Sequence, residues 1–236
     1  AKIQSEKAAW AGELERWTHE TDPYSLEAAA HSRAMHPRQL LRALEQAMPA
    51  DAMVSTDIGN ICSVANSYLR FETPRSMFAA MSFGNCGYAF PVICGAKIAN
   101  PGRPAFAYVG DGAWGISFNE LLTCARRKLG VTVVLFNNGQ WGAEKKNHVD
   151  FYSHRYQGVN LDNPNWAGVA RAFGVEGVTV ERLADVGPAL EAAARAQRDG
   201  RTTVLEMLVT QELGDPFRRD ALSKPVRWLD KYKSYA

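Results

Sequence analysis

Cysteine is scarce in this chain: four thiols in 236 residues, Cys62, Cys86, Cys94 and Cys124, with no C-x-x-C pair and no histidine at zinc spacing. That scarcity argues against a disulfide framework and a zinc site, leaves most of the thiols as small core residues, and fits a reducing cytosol. An excess of charge of one sign is also missing. There are 27 Lys and Arg against 25 Asp and Glu, for a formal net charge of +2, and the two signs are interspersed. No basic stripe is available for nucleic acid and no basic amphipathic helix for a membrane surface. Long apolar runs are absent, so nothing reaches the roughly 20 residues of a membrane span. Repeats and low-complexity tracts are missing too. What remains, 46% hydrophobic and 22% charged residues, is the composition of an ordinary globule.

The first segment, AKIQSEKAAWAGELERW, has neither an initiator Met nor a signal-peptide core, and it starts inside an amphipathic helical pattern. It is expected to have been cut from a longer protein. Residues 1–35 read as a helix and linker left from a preceding domain, irregular around Asp22-Pro23, and a domain spans 36–236 from near His36-Pro37. Within it, short apolar runs alternate with helix-like stretches. The runs are AMVST (52–56), SMFAAM (76–81), PAFAYV (104–109), VTVVLF (131–136), GVTV (177–180) and TTVLEMLV (202–209). Near-continuous apolar runs suit strands covered on both faces. Helical stripes fall at 37–48, 88–100, 118–129, 165–173 and 183–199. The expected fold is α/β: a doubly wound, mostly parallel sheet with helices on both faces and ligands at the carboxyl ends of its strands.

PAFAYV runs into GDGAWG, residues 110–115, which matches the dinucleotide fingerprint G-x-G-x-x-G but puts a carboxylate, Asp111, where backbone N–H groups would cradle a pyrophosphate. Two negative charges tolerate that proximity only with a cation between them. The next strand, VTVVLF, ends in Asn137-Asn138, and a right-handed βαβ crossover brings both strand ends to one edge. Asp111 and Asn138 then reach one point, and a carboxylate, an amide oxygen and a backbone carbonyl suit Mg²⁺. A dinucleotide site would instead want an acidic residue at the end of that second strand.

GDG followed after some 25 residues by NN resembles the signature of the thiamin-diphosphate enzymes, and the likeness covers nearly the whole chain after residue 36. It implies their diphosphate-binding domain, with Mg²⁺ held by Asp111, Asn138 and the Gln140 carbonyl. It further implies diphosphate contacts from Gly110, Gly112, Ala113 and the turn Ile58-Gly59-Asn60. The segment FGNCGYAFP (83–91) is similar to the loop under the aminopyrimidine, with Gly84 accepting from its amino group; Cys86 stands where relatives place a bulky apolar prop. NNGQWGAEKKN and EKAAWAGELERWTHE look like the sulfoacetaldehyde acetyltransferase branch more than acetolactate synthases or simple decarboxylases. The resemblance therefore implies a cytoplasmic acyltransferase taking a sulfonated aldehyde and phosphate.

The same likeness implies a pyrimidine-binding domain, on the same or another chain, that supplies the activating glutamate, and a homo-oligomer, dimer or tetramer. Nothing in this chain matches that glutamate, so the chain alone is expected to be inactive. Glu144 falls where decarboxylases of this fold place an active-site acid. Lys145, Lys146, His148 and Arg155 are candidates for the anionic substrates, set against a plain solvated basic face. Trp114 and Trp141 read first as packing residues, and His31 and His36 as surface or linker residues. An NAD-binding dehydrogenase domain and an inactive partner module stand as the other readings.

Overall fold

The computed structural model describes residues 2–19 and 34–213; Asp22, Pro23 and His31 lie outside the described residues. After helix α1 (Lys2–His19) and α2 (Pro37–Ala47) come β1 (Met53–Thr56), α3 (Asn60–Ala65), β2 (Met77–Ala79), α4 (Ala89–Ala99) and β3 (Ala105–Gly110). There follow α5 (Asp111–Ser117), a 3₁₀ turn (Phe118–Glu120), α6 (Leu121–Arg127), β4 (Thr132–Asn137) and α7 (Gly142–Phe151). The order ends with α8 (Trp166–Ala172), β5 (Glu176–Val180), α9 (Leu183–Arg198) and β6 (Thr203–Leu208). All six expected strands are present, in one sheet of order β2-β1-β3-β4-β6-β5 with every pairing parallel.

Alternation along each central strand feeds two cores. Phe106 and Tyr108 of β3 and Val134 and Phe136 of β4 face one cluster, where α2 contributes Leu40, Leu41 and Leu44 and α9 contributes Val186 and Leu190. Ala105, Ala107, Val109, Val133 and Leu135 face the other, with Phe90 and Ile93 of α4, Trp114 of α5, Leu121 of α6 and Trp166 of α8. Helices thus cover both faces, which is why the central strands read as unbroken apolar runs, while the edge strands β2 and β5 stay partly exposed. Leu14 of α1 is buried in the first cluster. At the amino-terminal edge, the buried Gln197 amide brackets the N–H and carbonyl of Ala105 at 2.8 and 3.0 Å. Gly130 has no room for a side chain there: a Cβ would lie 2.2 Å from the Gln197 carbonyl.

From β1 the chain crosses to β2 on one side and afterwards to β3 on the other. The gap beyond the ends of β1 and β3 is therefore the topological switch point, where open α/β sheets bind ligands. No helix among the described residues is long and apolar enough to cross a membrane.

Candidate active site

A cleft opens at the switch point. Its walls come from the ends of β1 (Ile58, Gly59, Asn60), β3 (Gly110, Asp111, Gly112, Ala113) and β4 (Asn138, Gln140), with Cys86 and Glu144. These are the cofactor, metal and acid positions singled out in the sequence, all but one: Gly84 lies exposed on its loop at φ 77°, outside the lining. Cys62, Trp141 and Gly142 are also on the wall.

Asp111 is 2% exposed. Its Oδ2 accepts from the N–H groups of Asn138 (3.1 Å) and Gly139 (2.6 Å) and from Asn163 Nδ2 (2.8 Å), while among the described residues Oδ1 takes only the Gly112 N–H at 3.0 Å. Burial raises its pKa above the ordinary carboxylate value, and these donors oppose that shift. The β3–β4 register pairs Gly110 with Phe136, which sets Asp111 beside the loop that leaves β4.

That loop has a particular form. Gln140 and Asn160 face each other across an antiparallel bridge whose bonds are made by their neighbours, Trp141 N–H to the Val159 carbonyl (2.8 Å) and Leu161 N–H to the Gly139 carbonyl (2.9 Å). In such a pair the residues' own N–H and C=O point away from the partner strand. The Gln140 carbonyl is thereby free of the ladder. Its side chain turns the other way, donating to the Gln211 carbonyl (3.0 Å) and accepting from Lys145 Nζ (2.7 Å). The Asn138 side chain makes no hydrogen bond among the described residues.

One carboxylate oxygen with spare acceptor capacity, one amide side chain and one carbonyl outside the ladder make an all-oxygen donor set. This fits Mg²⁺, which takes few protein ligands and completes its octahedron with water and phosphate. Among the described residues no group of three His, Cys, Asp or Glu side chains could hold a metal, so the mixed set is the arrangement available. The cleft also accommodates an anion. Helices α3, α5 and α7 all begin on it, so their first N–H groups border the same space. Gly59 sits at φ 148° before α3, and at Gly112 a Cβ would lie 2.7 Å from the Trp141 ring. Gly59, with open space where a side chain would stand, leaves the backbone accessible to a ligand, whereas Gly112 lets the Trp141 ring pack directly on it.

Other sequence candidates fall elsewhere. Lys145 reaches Gln140 and Gln211 (3.0 Å), and burial lowers its pKa. Lys146 pairs with Asp150 at 2.6 Å. His148 and Arg155 line a separate shallow depression with Tyr152 and Gln157. None of these four residues lines the cleft. Trp114 is fully buried against Phe90 and Trp166, as packing predicted, whereas Trp141 covers Gly112 on the cleft wall. His36 was expected at the surface; it is half-buried at the start of α2, Nδ1 3.4 Å from Glu212 Oε2. The cysteines are free thiols. Burial pushes the Cys86 pKa up, with Asp57 and Glu144 adding to the effect.

Two residues that matter were not singled out in the sequence. Asp57, 2% exposed and next after β1, accepts from the N–H groups of Ile58 (2.9 Å), Gly87 (3.1 Å) and Ala89 (2.9 Å), and so ties the 83–91 loop to the cleft. Its position at a strand end, like that of Asp111, was the available signal. Asn163, the second, lies 52 positions from its partner Asp111 and left no signal in local pattern.

The chain is similar to known proteins over most of its length. Residues 57–207 match the family model described as thiamine pyrophosphate enzyme, C-terminal TPP binding domain. The sulfoacetaldehyde acetyltransferase of Castellaniella defragrans is 62% identical over 100% of this chain and 40% of its own length. That of Alcaligenes xylosoxydans xylosoxydans is 59% identical over 99% and 40%. An acetolactate synthase large subunit of Parasynechococcus marenigrum is 33% identical over 73% of the chain and 28% of its own length. Among solved structures, a Rhodococcus jostii 4-hydroxybenzoylformate decarboxylase superposes with TM-score 0.70 at 23% identity, covering 76% of this chain and 33% of its own, and shares the fold. The chain spans 40% of the length of the acetyltransferases it matches. It belongs to the thiamine pyrophosphate enzymes and carries their C-terminal TPP-binding domain.

Proposed function

We propose that this chain is the diphosphate-binding part of a thiamin-diphosphate-dependent acyltransferase that converts sulfoacetaldehyde and phosphate to acetyl phosphate and sulfite. The observation that carries the cofactor reading is the convergence of Asp111, Asn138 and Gln140 on one cleft at the switch point. The substrate reading rests on the 62% and 59% identity to sulfoacetaldehyde acetyltransferases.

In this reading Asp111, Asn138 and Gln140 hold Mg²⁺, and Ile58, Gly59, Asn60, Gly110, Gly112 and Ala113 border the diphosphate. Gly84 and Cys86 belong to the loop under the aminopyrimidine. When bound, the cofactor supplies a carbanion that adds to a carbonyl and a ring that holds electrons. The chain contributes charge balance and orientation. The Asp111 carboxylate offsets the cation, and the starts of three helices face the anion. Glu144, in the first turn of α7 on the cleft wall, moves a proton.

A pyrimidine-binding domain, on the same or another polypeptide, supplies the activating glutamate. Residues 1–35 are the tail of what precedes the domain, and the assembly is a cytoplasmic homo-oligomer, dimer or tetramer. An apolar rim supports the partner: Phe83 and Met81 are 90% and 60% exposed, and Gly87 on the same loop packs against the exposed Ile116.

The test is the intact protein supplied with sulfoacetaldehyde, phosphate, thiamin diphosphate and Mg²⁺. Release of sulfite with acetyl phosphate is expected. Carbon dioxide from pyruvate without sulfite would instead make it a carboligase of the acetolactate synthase type, the reading the 33% relative favours. This chain by itself should turn over nothing, and turnover by it alone would overturn the division of the site.

A further inference from the structure

Four polar side chains link the far side of the sheet to the proposed metal carboxylate. Glu206, on β6 and 2% exposed, accepts from Asn137 Nδ2 (2.8 Å) and the Trp166 N–H (3.2 Å) through Oε1, and from the Ala167 N–H (3.0 Å) and Thr179 Oγ1 (3.2 Å) through Oε2. It thereby fixes the start of α8 and the side chain of the first asparagine of the NN pair. Asn137 Oδ1 then accepts from Asn163 Nδ2 at 2.9 Å, and the same nitrogen donates to Asp111 Oδ2 at 2.8 Å. With its two neighbours in the amide loop, this bond fills Oδ2 with three donors and leaves spare acceptor capacity on Oδ1 alone.

We infer that Asn163, held by Asn137 and Glu206, is a positioning residue that locks the Asp111 carboxylate in a one-oxygen pose and so favours a small octahedral cation. The inference rests on the Mg²⁺ reading of the site. Without Asn163, the carboxylate loses its only side-chain donor among the described residues and can turn to offer both oxygens. Partners that orient a metal ligand typically govern affinity by 10- to 100-fold. The loss should depend on the ion. Mg²⁺ demands near-ideal octahedral geometry, whereas larger Ca²⁺ accepts two-oxygen carboxylates and irregular shells.

The experiment titrates MgCl₂ and, separately, CaCl₂ into the intact protein at fixed thiamin diphosphate, followed by calorimetry and by the fluorescence of Trp141, which borders the site. Asn163→Ala is expected to weaken Mg²⁺ about tenfold and Ca²⁺ less than threefold, with an unchanged melting curve in chelator. Asn163→Leu, similar in size but without a donor, should behave alike and serves if the alanine variant folds poorly. An Mg²⁺ affinity within threefold of wild type, or equal losses for both ions, would overturn the inference. Asp111→Asn separates the two levels: if it too leaves Mg²⁺ binding intact, the metal reading itself fails.

Discussion

A single carboxylate explains the shape of one cleft wall. Asp57 gathers three backbone N–H groups, two of them from residues 30 and 32 positions away, and so holds the 83–91 loop that carries Cys86. An amide offers one acceptor oxygen and sets its own NH₂ against these donors. Asp57→Asn should therefore strand a buried N–H and cost about 1–3 kcal/mol in urea unfolding. The pH dependence has a definite sign. Burial raises the Asp57 pKa, so the folded state binds this proton more tightly than the unfolded chain. Its contribution to stability is present at low pH and is lost as pH rises from the unfolded value through the folded one. The stability difference between wild type and Asp57→Asn should shift in favour of wild type as pH falls toward 4, and a pH-independent difference would contradict the assignment. Gly112 gives a second residue-scale expectation. A methyl group there meets three Trp141 ring atoms at 2.7 to 2.8 Å, so Gly112→Ala should lower stability by about 1–3 kcal/mol, recovered when Trp141→Leu is added. Asp111 and Asn138 were legible because each ends a recognisable strand. Asn163 and Glu206 were not, because their partners are 52 and 69 positions away and only the folded sheet brings them together.

At the scale of elements, apolar runs located all six strands, while three helices left little trace. Six-residue α3 and seven-residue α5 are too short to show a period, and α7 (GAEKKNHVDF) has no buried residue to reveal a stripe. All three nonetheless begin on the cleft, so the elements least visible in the sequence are among those that shape it. Packing of α8 on β5 is visible instead through a glycine. A Cβ on Gly177 would lie 2.1 Å from the Ala167 carbonyl, in the helix whose start Glu206 holds. Gly177→Ala should force that helix outward. The overpacking should cost about 1–3 kcal/mol in chemical unfolding, and cation affinity should fall with it because Asn163 stands just ahead of α8. A stability loss with unchanged Mg²⁺ affinity would show that α8 does not position the loop.

At the scale of the whole molecule, the sheet's two edges do different work. The amino-terminal edge is closed by Gln197 against Ala105 and Thr132, and the carboxyl-terminal edge is left open at the cleft, where Gly59 has open space in place of a side chain. Beside that opening stand Met81, Phe83 and Ile116, large apolar side chains that a folded chain rarely leaves in water together. In the proposed assembly the pyrimidine-binding domain covers them and shuts the cleft, so cofactor binding and association support one another. Replacing Met81 and Phe83 together by serine removes apolar area from this contact without touching Asp111 or its donors. The intact variant at high protein concentration should bind thiamin diphosphate much as wild type does, because mass action maintains the assembly. On dilution it should lose cofactor and activity at a protein concentration at least tenfold higher than wild type, tracked by sedimentation alongside turnover. A variant that dilutes as wild type does would place the partner on a different surface.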